Sequence, residues 1–181
     1  MNIFFTSDLH FGHKNIIKYC NRPWSCAEDM DEGIIAYWNS VVAPNDIVYV
    51  LGDVVMGNVG VGVRNLGRLN GVKELIAGNH DAKTRKMPSF QKYFCQIVDY
   101  LERKLDGQHI VMSHYPMLSW NRSGHGSWML HGHVHGSFAC DGARLRFDVG
   151  LDANDWTPVA FEDIPVLFAA SQIRARLDET P

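Results

Sequence analysis

Five short apolar runs in this chain each stop at a polar block. Asn2–Ser7 ends at Asp8-Leu9-His10, Asp46–Leu51 at Gly52-Asp53, and Val72–Ala77 at Gly78-Asn79-His80-Asp81; His109–Ser113 runs into His114, and Trp128–Leu130 into Gly132-His133-Val134-His135. Runs of β-branched and aromatic residues closed by Gly, Asp, Asn or His read as buried strands. Their polar ends must gather outside the core, and in open α/β sheets the strand ends are where sites lie.

The segments between the first three runs read as helices. Residues 15–19 make one or two turns, residues 28–42 carry Met30, Ile34, Ile35, Trp38 and Val41 at amphipathic spacing before Pro44-Asn45, and a third helix is expected over 61–69. Strand and helix alternate, which is βαβ logic. The second half differs, with strand-like runs at 95–105, 109–113, 128–130, 144–149 and 159–161 and a hairpin signal at Asp106-Gly107. A mixed or antiparallel sheet is expected there. With 181 residues the chain is one domain's worth, taken as residues 1–170, and residues 171–181 read as a polar, loosely held tail.

Charge excludes little but sets a preference. Seventeen Lys and Arg against twenty Asp and Glu give a formal charge of −3, so there is no global positive field to hold a long polyanion. Nucleic acid is unsupported by charge rather than excluded. Cys20, Cys26, Cys95 and Cys140 form no CxxC pair, and the apolar start is too short for a signal peptide or a membrane span. A cytoplasmic protein with no membrane partner is expected.

The polar blocks carry the chemistry. In an extended segment residues i and i+2 face the same way, so Asp8 with His10, and His133 with His135, are expected to present pairs of ligands. Imidazole, carboxylate and amide without thiolate suit Mn²⁺, Fe or Zn²⁺ and argue against a structural Cys-type zinc site. Two divalent ions held with Asp8 and Asp53 as the only anions leave a charge of about +2. That excess favours an anionic substrate, phosphate foremost.

In order, D-x-H, G-D, G-N-H-D, H and G-H-x-H, these blocks resemble the calcineurin-like metallophosphoesterase superfamily, and the likeness runs from residue 3 to about residue 165. The resemblance implies an α/β fold, a two-sheet β-sandwich flanked by helices, with a dinuclear metal centre at the strand ends. It implies Asp8, His10, Asp53 and His135 at the first metal and Asp53, Asn79, His114 and His133 at the second, with Asp53 bridging. Mn²⁺ is the expected metal, with Fe, Zn²⁺ or Ni²⁺ as alternatives. A shared hydroxide would attack phosphorus in line. His80 matches the general acid, and Asp81 is expected to orient it.

His13 is expected to reach the phosphate or else to cap the following helix, and Arg22 to clamp a phosphate oxygen or else to lie in a surface turn. The stretch 121–127 reads either as a substrate loop or as a hairpin connection. Lys73, Lys83, Arg85 and Lys86 read as a solvated basic face or else as the contact for an anionic extension of the substrate. Val54-Val55-Met56-Gly57 and Asp81 depart from the G-D-x-x-D-R-G and G-N-H-E blocks of the protein-phosphatase branch. The Thr6–His13 block is instead similar to that of small bacterial and phage phosphoesterases. The expected activity is hydrolysis of phosphodiesters, and of monoesters, on small or nucleotide substrates. The alternatives are a nuclease for single-stranded nucleic acid and a non-catalytic scaffold.

Overall fold

The computed structural model describes residues 1–138 and 144–178, without the side chains of 172–178; Cys140 and the last three residues lie outside the described residues. The elements in chain order are β1 (Ile3–Thr6), α1 (Lys14–Tyr19), α2 (Ala27–Val41), β2 (Ile47–Val50), α3 (Val59–Leu66), β3 (Val72–Ile76) and α4 (Pro88–Gln91), followed by β4 (Phe94–Val98), β5 (Leu101–Leu105), β6 (Gln108–Met112), β7 (Trp128–His131), β8 (Arg146–Asp148), β9 (Val159–Ala160) and α5 (Ile164–Asp178). They build two sheets, ordered β4-β3-β2-β1-β9 and β5-β6-β7-β8. The first is parallel from β1 to β4 with β9 antiparallel at its edge; the second is parallel except for the β5–β6 hairpin. This is the two-sheet sandwich flanked by helices that the resemblance implied.

Period-2 alternation explains the layers. Phe4, Val48, Val50 and Leu75 face one way, into a core with Ile34, Trp38, Leu66 and Phe90 from the helices. Phe5, Tyr49, Leu51 and Ile76 face the other, against Ile110, Met112, Leu130 and Phe147 of the second sheet. Both faces of the first sheet are therefore buried, as a parallel sheet requires.

Three expectations change. The run 95–105 is two strands in different sheets, because the chain turns at Asp99-Tyr100 and crosses from β4 to β5. The stretch 121–127 is no hairpin connection, since β6 and β7 are parallel. Trp120 is folded inward there, its Nε1 donating to Ser127 Oγ at 3.0 Å, and packs with Val111 and Met129. Finally, a helix crosses residue 171: α5 runs to Asp178 and sets Ile164 and Phe168 into the inter-sheet core, with Phe168 edge-on to Trp128. No helix among the described residues is long and apolar enough to cross a membrane.

Candidate metal centre

The C-terminal ends of the parallel strands of both sheets meet. Ser7, just past β1, bridges Gly150, just past β8, and the His114 ring past β6 reaches the Leu51 carbonyl past β2. A cluster of Cys20, His135 and Asp152 adjoins the site through His135, and two further groups of ligand atoms form at the strand ends. Asp8, His10 and His135 make one, Asp53, His114 and His133 the other, with the atoms of each group within 4.8 Å of one another. Asp53 Oδ2 stands between them, 3.7 Å from His10 Nε2 and 3.5 Å from His114 Nε2. Asn79 Oδ1 joins the second group, 3.0 Å from His114 Nε2.

The convergence does not arise from extended chain. Asp8 and His10 have φ of 59° and 52°, and Asp53, His133 and His135 have 57°, 72° and 48°. All five sit in the left-handed region that few residues other than glycine enter, Asn, Asp and His being the commonest of those that do. The i, i+2 spacing therefore works through kinks, with Leu9 wholly buried between its polar neighbours. Space is also tight: a β-carbon on Gly132 would collide with Ser7 Oγ and Asp8 Oδ2.

Hydrogen bonds leave one face of each ligand open. Asp8 Oδ2 accepts from Ser7 Oγ at 2.6 Å and from the His133 amide at 2.9 Å, while Oδ1, though buried, has no partner. Asp53 Oδ1 accepts from the His80 amide at 3.0 Å, which leaves Oδ2 to the centre. His114 Nδ1 lies 2.7 Å from the Leu51 carbonyl oxygen and must donate to it, so in the neutral ring Nε2 holds the lone pair. Both nitrogens of buried His10 are unpartnered. Unpaired buried polar atoms each cost about 1–3 kcal/mol. Acceptors facing acceptors are what a cation resolves: ligand atoms about 2.1 Å from one ion stand about 3–4 Å apart.

The charges of the site act strongly on one another: burial lowers the His114 imidazole, but Asp53 and Asp8 outweigh it and hold it above its usual range, so a cation at Nε2 would have a proton to displace. Burial raises the Asp8 carboxyl to about 6 and drives His10 well below the usual imidazole range, so the His10 ring is neutral, the form in which an imidazole can ligate a metal. Burial pushes Asp53 up as well, but His114 and the His80 amide outweigh it and hold the carboxyl at about 2.

Two residues are not where the sequence reading put them. Arg22 is buried and does not face the substrate side. Its Nη2 donates to the Asp8 carbonyl at 2.7 Å, Nη1 to the Leu9 carbonyl at 3.1 Å, and Nε and Nη2 to Asp152 at 2.9 and 2.8 Å. Asp152 accepts from His135 Nδ1 at 2.7 Å, which turns His135 Nε2 toward Asp8. The guanidinium thus braces the kinked Asp8–His10 segment and His135 together. Asp152 is the site residue that sequence reasoning missed; Gly150-Leu151-Asp152 after β8 has the same strand-end pattern as the other blocks. Asp81 likewise does not orient His80. Its carboxylate accepts from the amides of Asp53, Val54 and Gly78, at 2.8, 3.0 and 2.9 Å, and so ties the β2 and β3 loops together.

Arg22→Ala leaves the buried Asp152 charge with His135 as its remaining side-chain partner, and is expected to cost about 3–5 kcal/mol in urea unfolding. Calorimetric metal titration of the same variant should show weakened binding at one of two sites. Arg22→Lys, which keeps the charge but lacks the fork, should recover only part of the loss.

The remaining residues lie at the rim. The His80 side chain is 38% exposed, with Nε2 3.8 Å from Asp53 Oδ2. The His13 ring is 5.5 Å from that of His10 and forms no side-chain cap on α1, which removes the helix-cap alternative. His131 is buried with Nδ1 3.0 Å from the Gly132 carbonyl oxygen, a neighbour of the site outside both ligand groups.

The sequence profile of the calcineurin-like phosphoesterase family matches residues 1–137. An uncharacterized protein of Methanocaldococcus jannaschii is 33% identical over 178 residues, covering 94% of this chain and 93% of that protein. The Gene 66 protein of Mycobacterium phage D29 is 30% identical over 186 residues, covering 87% and 92%. The crystal structure of a protein of unknown function from Aquifex aeolicus matches with a TM-score of 0.73 at 27% identity, covering 92% of this chain and 98% of that one.

Proposed function

This chain belongs to the calcineurin-like phosphoesterase family, whose members are metal-dependent phosphoesterases, and from that premise we propose that it hydrolyses phosphodiester bonds, and phosphomonoester bonds, of small or nucleotide substrates. One observation carries the reading: Asp53 Oδ2 faces both ligand groups at once, 3.7 Å from His10 and 3.5 Å from His114. In this reading Asp8, His10, His135 and Asp53 hold one divalent cation, and Asp53, Asn79, His114 and His133 hold a second, with Mn²⁺ the first choice.

Such a pair supplies a nucleophile from water at neutral pH and offsets phosphoryl charge. The chain's own residues do the rest. His80, at the open rim, protonates the departing alkoxide, and His13 contacts a phosphoryl oxygen from the α1 side. Arg22 and Asp152 hold the first group in place, and Asp81 holds the loops that carry Asp53 and Asn79.

A panel on stripped and Mn²⁺-reloaded protein tests this, with a chromogenic diester, a monoester, a cyclic nucleotide and an oligonucleotide. Activity that appears only on reloading, with a diester ranked first, is expected; no turnover with any metal would defeat it. The nuclease alternative needs a basic groove able to track several phosphates. Arg85 of the basic cluster is paired with Asp99, and Lys73 is buried against the carbonyls of Leu69 and Gly71, which leaves Lys83 and Lys86 exposed. That is a thin track for a strand.

A further inference from the structure

We propose that Tyr115 is a stacking platform for a nucleobase, so that the site prefers phosphodiesters with a nucleoside arm over those with simple alkyl arms; this rests on the phosphoesterase reading above. Single exposed apolar residues need no explanation. Tyr115 is different because of what it touches. The residue is 49% exposed, yet its ring stands edge-on to two residues of the second ligand group, 4.6 Å from His133 and 5.2 Å from His114 by ring centroids. Pro116 follows it and biases its backbone away from the helical region, which narrows the positions the ring can take.

A phosphate at the second group and a base on this ring can belong to one nucleotide. Across the site Tyr19, 75% exposed at the end of α1, is edge-on to His13 at 6.4 Å and offers a second aromatic face beside the first group. Stacking on a flat ring is indifferent to charge and to base identity. It therefore suits a chain with a net charge of −3, which can grip a single nucleotide but lacks the field for a long strand.

Thymidine 5′-(4-nitrophenyl phosphate) and methyl 4-nitrophenyl phosphate share a leaving group and differ in the nucleoside. With Mn²⁺-loaded protein the thymidine ester should have about tenfold higher kcat/KM, mostly through KM, the worth of one stack. Tyr115→Ala should erase that preference, whatever the loss of packing on His133 and His114 does to both esters alike, and Tyr115→Phe, which keeps the ring, should retain it. The 5′-phosphonates of adenosine and of ribose, which cannot be hydrolysed, give a reading by calorimetry that needs no turnover. The adenosine compound should bind about tenfold tighter to the native protein and equally to Tyr115→Ala. Equal binding of the two by the native protein, or a preference for the thymidine ester that survives in Tyr115→Ala, would overturn the platform. If neither ester is hydrolysed, the phosphoesterase reading fails and the phosphonate comparison still decides this one.

Discussion

Asp53→Asn is expected to abolish turnover and to release metal from both ligand groups at once. The substitution is nearly isosteric, so the fold should survive; what changes is charge. Asp53 is buried, and its Oδ2 faces His10 on one side and His114 on the other. Asp8 is the other carboxylate in the two groups. An amide in place of Asp53 leaves two cations facing each other across a neutral group, in surroundings where charge is poorly screened. The fall in activity should greatly exceed the ~10–100-fold typical of substitutions that merely support a ligand. Metal analysis after desalting, beside the turnover of the same sample, checks it. Retention of two metals with near-normal activity would remove Asp53 from its bridging position.

His80→Ala is expected to lower turnover by about 10²–10⁴-fold on alkyl or nucleoside esters, the range of a general acid, while two metals stay bound. The ring is the exposed member of the cluster, and its backbone amide, not its imidazole, is what Asp53 Oδ1 holds. Removing the side chain therefore leaves that hydrogen bond in place. A nitrophenolate departs without protonation, so the variant should be nearly restored on nitrophenyl esters. Equal slowing of both ester types would make His80 a stabiliser of phosphoryl charge, and loss of a metal would make it a ligand.

The residues of the two candidate ligand groups were legible in the sequence because each stands where an apolar run stops, and that pattern survives into the structure as strand ends of two sheets converging. Their convergence was legible for the wrong reason. An extended Asp8-Leu9-His10 would put both side chains on one face, whereas the chain kinks twice there, and backbone sign is invisible in residue identity outside Gly and Asn. Arg22 was misread because a turn such as Asn21-Arg22-Pro23 looks exposed. Only the three-dimensional return of Asp152, 130 residues later, shows what the guanidinium is for. Asp81 was misread because its neighbour in sequence is His80 while its neighbours in space are the amides of Gly78, Asp53 and Val54. The break at Asp99-Tyr100 carries no Gly or Pro, so nothing local announces the change of sheet.

The left-handed backbone at His10, His133 and His135 has a consequence for how such a chain evolves. Each of these residues holds a conformation that costs an ordinary side chain roughly 1–2 kcal/mol and costs glycine almost nothing. Together they forfeit several kcal/mol, against a typical net stability of about 5–15 kcal/mol. Mutational drift under selection for folding alone would replace these imidazoles with glycine or asparagine, and the chain would gain stability by doing so. Glycine at any one of these positions is therefore expected to relieve backbone strain while removing an imidazole from the site, so that folding and ligand supply pull the same residue in opposite directions.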